Sequence, residues 1–182
     1  MSSAMNAHNP SFKRSLEFVL SVEGGYSNHP HDSGGKTYRG ILQREYDKYR
    51  DDKQEDRRCV REMSHEELED IYYHDYWIPG ACYKFPWPLC VVQFDGCVNV
   101  VVGQAGKFLQ RAVGTKDDGA IGPKTIMAYE DKVNDVGLDA IVKSILEQRD
   151  GFYDLLVQRK PTQKSFINGW NNRLDKLKNY IA

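Results

Sequence analysis

The 182-residue chain lacks the long apolar run that a membrane-spanning helix needs. A span takes roughly 20 consecutive apolar residues, and no window of the sequence approaches this length. The first ten residues also lack the apolar core of a secretory signal peptide. We therefore expect a protein that is made in the cytoplasm and does not insert into a membrane.

The sequence also lacks a strong excess of charge of either sign. Its 25 Lys and Arg residues nearly balance 26 Asp and Glu residues, which gives a net charge of −1. A basic face of the kind that binds nucleic acid is therefore not expected, and steering toward an anionic surface should be weak.

Metal-ligand motifs are absent as well. The four cysteines show no Cys-x-x-Cys spacing, and no His-Glu-x-x-His segment occurs. We therefore expect no metal and no other cofactor. The alternative is a metal site formed by histidine and aspartate side chains, those of His29, His31, Asp32 and His74. Two disulfides are arithmetically possible, but reduced thiols are favoured in a chain without an export signal. The cysteines are Cys59, Cys82, Cys90 and Cys97.

The most informative segment is VEGGY at residues 22–26, which follows a helical pattern. Asn9 and Pro10 suit the start of this helix, and Gly24 and Gly25 can take the left-handed conformation that ends one. Glu23 should then lie on the last turn, near the negative end of the helix dipole. That position favours the protonated acid, as a general acid working near neutrality requires. The alternative is a surface glutamate before a glycine cap. The apolar residues at helical spacing are Phe12, Leu16, Val19 and Leu20.

Two further candidates lie in the polar segment SNHPHDSGGKTYRG, residues 27–40. Asp32 should stay ionised in a wet loop while Glu23 holds a proton, and Thr37 could hold a water molecule. One acid, one carboxylate and one hydroxyl are the groups that glycosidic bond cleavage requires. The alternatives are an Asx-turn for Asp32 and a turn or edge-strand hydroxyl for Thr37.

The run EGGYSNHPHDSGGKTYRGI resembles the opening motif of glycoside hydrolase family 108, the phage and bacterial N-acetylmuramidases. The resemblance implies that Glu23 is the catalytic glutamate. The order Glu, Asp, Thr is also similar to the phage-type lysozymes of family 24, which have one more residue between Asp and Thr. By that spacing Tyr38 stands where Thr37 is expected.

Later segments extend the resemblance. A helix ending at Tyr76 and Trp77 is similar to the family's Tyr-Trp element, and these rings could flank a saccharide, as could Tyr26 and Tyr38. Core packing is the alternative for Trp77. In the apolar stretch after Pro88, which predicts one or two buried helices, the polar exceptions are Asp95 and Asn99. Both are candidates for substrate binding or for bonding between helices.

Residues 109–125, LQRAVGTKDDGAIGPKT, resemble the signature of predicted peptidoglycan-binding segments. A helix should begin at Gly122-Pro123, and a long helix should follow over 139–158. A terminal helix should carry Phe166, Trp170, Leu174 and Leu177 on its buried face, with Arg173 as an ion-pair or rim residue.

These observations predict a mainly α, lysozyme-like fold with a small irregular or β-hairpin region near residues 26–40. We expect a catalytic part at 10–85 and a helical part at 88–182, packed as one monomeric unit. The resemblance implies hydrolysis of the β-1,4 linkage of peptidoglycan glycan strands, by an enzyme that reaches the wall through a holin or transporter. The alternatives are a non-catalytic wall-binding or secretion-aiding protein, and another enzyme on similar material, such as a lytic transglycosylase or a chitin hydrolase.

Overall fold

The computed structural model describes residues 9–27 and 35–182. In this part of the chain eight α-helices and one two-stranded hairpin are formed. The predicted mainly α, lysozyme-like class is therefore confirmed. None of the described helices is long and apolar enough to cross a membrane. The helices are α1 Pro10–Val22, α2 Gln43–Asp52, α3 His65–Tyr72, α4 Leu89–Val100, α5 Val102–Ala112, α6 Pro123–Val136, α7 Leu138–Arg159 and α8 Ile167–Ile181.

The chain divides into two compact units, Met1–Asp75 and Tyr76–Ala182. The sequence placed the division between residues 85 and 88, ten residues or so later. Trp77 explains part of the difference, because its buried ring packs edge-on against Phe94 of α4 at a centroid distance of 5.3 Å. The segment after Asp75 therefore packs with the second unit.

Helix α1 begins as predicted and ends differently. The Asn9 side chain accepts a hydrogen bond from the Phe12 N–H at 3.1 Å, and Pro10 is the first helical residue. At the other end Glu23 leaves the helix in an extended conformation, with φ −80° and ψ 147°. The left-handed glycine cap is wrong, since neither Gly24 nor Gly25 is among the glycines with positive φ. An extended Glu23 ends the helix without one.

A hairpin follows the segment that the structure does not describe. Strand β1, Thr37–Tyr38, pairs antiparallel with β2, Ile41–Leu42. The two turn residues between them, Arg39 and Gly40, both have positive φ, 48° and 83°. This is the pattern of a type I′ turn, whose twist matches that of the strands it joins.

Helix α3 begins with a capping box, which the sequence predicts because Glu67 follows Ser64 by three residues. The Ser64 hydroxyl accepts from the Glu67 N–H at 3.2 Å, and the Glu67 carboxylate accepts from the Ser64 N–H at 2.8 Å. Helical spacing also predicts a buried face of α3, and its residues are buried in the structure: Leu68, Ile71 and Tyr72. Tyr72 is thereby held at the end of α3 with its side chain inside the unit.

The second unit is built around the apolar stretch, which forms the helix pair α4 and α5. Helix α7 contacts both of them, and α8 packs against α7. The prediction that Phe166 belongs to the buried face of the terminal helix is wrong. It lies before α8 with 56% of its surface exposed and stacks on Trp170.

Candidate active site

Glu23 is held where α1 gives way to an extended segment. Its backbone N–H donates to the Val19 carbonyl at 3.0 Å, which fixes the residue at the helix end. The residue is half-buried. Because ψ turns to the extended region here, the chain carries the carboxyl group away from the helix axis and toward the β1–β2 hairpin.

The Glu23 carboxyl group lies against Gly40 in the hairpin turn. A Cβ atom added to Gly40 would come within 3.0 Å of both Cδ and Oε2 of Glu23, and within 2.5 Å of the Tyr72 Oη. Real Cβ atoms do not make contacts as short as the second. Gly40 is therefore required twice, for its positive φ of 83° and for the space that two polar side chains occupy.

Tyr72 is the residue that sequence reasoning missed. The sequence assigned it only to the buried face of α3, and it is indeed fully buried. Its hydroxyl, however, donates to the Arg39 carbonyl at 2.8 Å, across 33 residues of sequence. Burial of a tyrosine requires a partner for its hydroxyl, and this was the signal available in the sequence. The structure thus brings Tyr72, Gly40 and Glu23 together.

The other two catalytic candidates are less defined. Asp32 lies outside the residues that the structure describes. Thr37 is half-buried in β1, and its hydroxyl donates to the Gly35 carbonyl at a long 3.4 Å. That bond is local, as in the turn-hydroxyl alternative, and it is weak enough for the hydroxyl to exchange it for a water molecule.

The two aromatic candidates of the first unit both lie beside arginines. Tyr26 is 37% exposed, and the Arg61 guanidinium carbon lies 5.5 Å from its ring centroid. Tyr38 is half-buried, with the guanidinium carbon of Arg39 at 5.4 Å from the ring centroid. An arginine over a ring covers one of the faces that would pack on a sugar. Either ring could still offer its other face.

The Tyr-Trp pair has two different environments. Trp77 is fully buried and packs on Phe94, so the structure favours core packing among its two alternatives. Tyr76 is half-buried, and its backbone carbonyl accepts from the Gly80 N–H at 3.0 Å. Its role as a sugar contact stays a prediction.

Asp95 and Asn99 lie in a buried polar network of the second unit. The Asp95 carboxylate accepts from Nη2 of Arg149 and from Nε of Arg173, each at 2.8 Å, and all three residues are buried. Asn99 accepts from the Tyr153 hydroxyl at 2.5 Å, and that hydroxyl accepts from Arg149 at 3.1 Å. The network joins α4 to α7 and α8, so the structure favours bonding between helices for Asp95.

The charge state of this network follows from its geometry. Burial alone would lower the pKa of Arg149, but the nearby Asp95 and Tyr153 outweigh burial and raise this pKa above its ordinary value. Arg149 is therefore a permanent cation without access to water. Its attraction to Asp95 offsets the cost of removing both charges from solvent.

A cavity of about 360 Å³ lies elsewhere in the first unit, lined by residues of α2 and α3. Both lysines in its lining are paired with aspartates, Lys48 with Asp52 at 2.5 Å and Lys53 with Asp70 at 2.7 Å. Glu23 is not part of its lining. Across residues 9–27 and 35–182, no cluster of three His, Cys, Asp or Glu side chains is suited to a metal ion.

Both halves of the chain match models of known protein families. Residues 16–100 match a family model described as Glycosyl hydrolase 108. Residues 104–175 match a model described as Predicted Peptidoglycan domain. The chain is also similar to a solved structure entitled "Structure of Brucella abortus SagA", with 27% sequence identity and a TM-score of 0.75. That similarity covers 92% of this chain and 91% of the other. No curated protein matches the sequence.

Proposed function

Because the chain belongs to glycoside hydrolase family 108 and carries a predicted peptidoglycan domain after residue 103, we propose that it is an N-acetylmuramidase. It hydrolyses the β-1,4 linkage of the peptidoglycan glycan strand, with Glu23 as the general acid. The family assignment supports a glycoside hydrolase, and the second domain supports peptidoglycan as the partner. The bond cleaved and the residues that cleave it are the proposal.

The observation that carries the proposal is the environment of the Glu23 carboxyl group. It lies in the segment that matches the hydrolase model, against the Gly40 turn, and the Tyr72 hydroxyl lies close to the same turn. A half-buried carboxyl group in such a place can deliver a proton to a leaving oxygen. On the opposite face of the sugar, Asp32 with Thr37 would activate water or stabilise the oxocarbenium ion.

Glu23→Gln tests the enzyme assignment on purified sacculi. The amide keeps the shape of the side chain but cannot donate the acid proton, so we expect turbidity clearing to fall by about 10²- to 10⁴-fold. Glu17→Gln is the matched control, since it makes the same change on the exposed face of α1. Equal activity in wild type and Glu23→Gln would contradict the proposal.

Product mass spectrometry in the same experiment identifies the reaction. A hydrolase leaves reducing muramic acid ends, whereas a lytic transglycosylase leaves anhydro-muramyl ends. Asp32→Asn, assayed beside it, separates a mechanism with two carboxylates from one with Glu23 alone. Full activity in Asp32→Asn would remove Asp32 from the mechanism and leave the role of Glu23 unaffected.

One observation favours a second candidate function. The match at residues 104–175 is independent of Glu23, so the chain could bind the wall or aid secretion without cleaving it. In that case wild type and Glu23→Gln would bind sacculi equally well in a pull-down, and neither would release soluble fragments. Binding retained in Glu23→Gln together with lost clearing supports the muramidase.

The biological setting is part of the proposal. We infer a monomer that is made in the cytoplasm and that reaches the wall through a holin or a transporter. A phage or prophage endolysin, or a bacterial muramidase that opens the wall for secretion, would act in this way. Size-exclusion chromatography with light scattering tests the monomer, and a dimer mass would contradict it.

A further inference from the structure

The geometry around Gly40 points to a role for Tyr72 that goes beyond packing: we propose that Tyr72 is the positioning residue for the acid proton of Glu23. Its hydroxyl oxygen accepts a hydrogen bond from the O–H of the Glu23 carboxyl group and so holds that group in its acid form, until the carboxyl group passes its proton to the leaving oxygen of the substrate. This inference rests on the proposed function of Glu23.

The first step of the argument is proximity. The Tyr72 Oη and the Glu23 Oε2 lie 2.5 Å and 3.0 Å from the same point, the place that a Gly40 Cβ would occupy. The two oxygens are therefore no further apart than the sum of those distances. In the contact that we propose, rotation of the flexible Glu23 side chain brings a carboxyl oxygen to hydrogen-bond distance of the Tyr72 hydroxyl.

The second step is the direction of the hydroxyl proton. The Tyr72 O–H donates to the Arg39 carbonyl at 2.8 Å, and a phenol has only one proton to give. Toward Glu23 the phenol oxygen can therefore only accept. An acceptor facing a carboxyl group stabilises the protonated form and destabilises the charged form.

The third step is rigidity. Tyr72 is fully buried on the last turn of α3, so its ring has little freedom to move. The Arg39 carbonyl belongs to the two-residue turn between β1 and β2, which the strand pairing holds in place. The acceptor is thus fixed before substrate binds, which is what orientation of a catalytic group requires.

The space that Glu23 and Tyr72 share depends on Gly40. A methyl group there would meet the Tyr72 hydroxyl at 2.5 Å and separate the two side chains. Gly35 offers a matched comparison, since it also has positive φ, 73°, but nothing lies within 4 Å of its added Cβ. Alanine at either position costs similar backbone strain, and only Gly40→Ala disturbs the pair.

The decisive variant is Tyr72→Phe, with Tyr73→Phe as its control. Tyr73 lies next to it and packs edge-on against Phe12 at 5.0 Å, a contact that phenylalanine keeps. On sacculi we expect Tyr72→Phe to lower kcat by about tenfold, the value of one hydrogen bond, with little change in KM. The basic limb of its kcat–pH profile should move to lower pH, because the acid loses its proton sooner. Gly40→Ala should lower kcat more than Gly35→Ala.

A second measurement tests the contact without any need for activity. The carboxyl carbon of Glu23 is followed by ¹³C NMR at one fixed pH in wild type and variants. We expect its resonance to move in Tyr72→Phe and to stay in place in Tyr73→Phe. An unmoved resonance in Tyr72→Phe overturns the inference, as does a lower kcat with an unchanged pH profile. Inactive wild type with a moved resonance instead overturns the proposed function and keeps the contact.

Discussion

Val101 has a backbone conformation that β-branched residues rarely adopt. Its φ of 67° and ψ of 153° fall in a region that is nearly restricted to glycine, between the ends of α4 and α5. In the sequence, Val100, Val101 and Val102 stand between Asn99 and Gly103. The corner between the two helices therefore has a glycine-type backbone conformation although valine occupies it.

This strain predicts a stabilising substitution. Such a conformation costs a non-glycine residue about 1–3 kcal/mol, and glycine would remove this cost. The larger conformational entropy of glycine in the unfolded state offsets part of that stabilisation. Because Val101 is 67% exposed, little packing is lost. We expect Val101→Gly to raise the free energy of unfolding by about 1 kcal/mol in urea denaturation. Val136→Gly, a change at an exposed helical valine, should lower it, and equal losses in both variants would contradict the strain.

At the scale of single residues, the sequence predicts Glu23 as the candidate acid but does not indicate its neighbour Tyr72. Glu23 stands in a motif whose order and spacing are visible in the chain. Tyr72 is 49 positions further on, and only the fold brings it to Gly40. The helical spacing of apolar residues predicts which side chains of α3 are buried. It does not predict which polar atom on that face lies close to a carboxyl group from a distant part of the chain.

At the scale of helices, local signals were reliable where a cap or a periodic face defines the element. The Asn9 cap and the Ser64–Glu67 capping box are both present, because each depends on residues three positions apart. Phe166 shows the limit of periodicity. In the sequence it continues the apolar spacing of α8, but in the structure it lies in a short 3₁₀ helix and its ring is exposed.

The network of Asp95, Arg149 and Arg173 gives a prediction at the same scale, since it joins three helices. Asp95→Asn leaves two buried guanidinium groups without their carboxylate. We expect the free energy of unfolding to fall by about 3–5 kcal/mol, measured by urea denaturation. Asp150→Asn, the same change at an exposed position of α7, should have little effect. If Asp95→Asn keeps its stability and loses only activity, Asp95 acts on substrate instead.

At the scale of the whole molecule, composition and motif predicted the class and the two-part organisation. The two family models match residues 16–100 and 104–175, and these bounds differ from the predicted parts at 10–85 and 88–182. The boundary between the two units is harder to predict from the sequence. The segment Pro86-Trp87-Pro88 marks a turn in the chain and not the edge of a packed unit. Packing of Trp77 on Phe94 is a long-range contact that local sequence does not reveal.

The charge pattern of the whole chain predicts how its stability depends on pH. For Glu67, burial would raise the pKa, but hydrogen bonds from Ser64, Tyr46 and Arg58 outweigh it and lower this pKa below 4.5. The pKa of Asp70 is likewise lowered, because bonds from Lys53 and Tyr49 outweigh burial. Groups of this kind bind fewer protons in the folded state, so they stabilise it above their ordinary pKa and lose that effect as pH falls. Hydrogen bonds from arginine lower the pKa of two further carboxyl groups in the same way, that of Asp51 through Arg57 and that of Asp117 through Arg111.

Asp75 acts in the opposite direction and supplies the matched test. Partial burial of its carboxyl group raises its pKa although the residue as a whole is exposed, so its contribution to stability is present at low pH and lost as pH rises. We expect the Tm of wild type to be nearly constant above about pH 6 and to fall below about pH 5. Glu67→Gln should lower Tm at pH 7 and approach wild type at pH 3, whereas Asp75→Asn should raise Tm at pH 7 alone. Calorimetry at both pH values measures this, and a Glu67→Gln deficit of equal size at pH 7 and pH 3 would show that packing, not ionisation, is lost. A deficit confined to neutral pH would identify the paired carboxylates as the groups whose protonation unfolds the protein in acid.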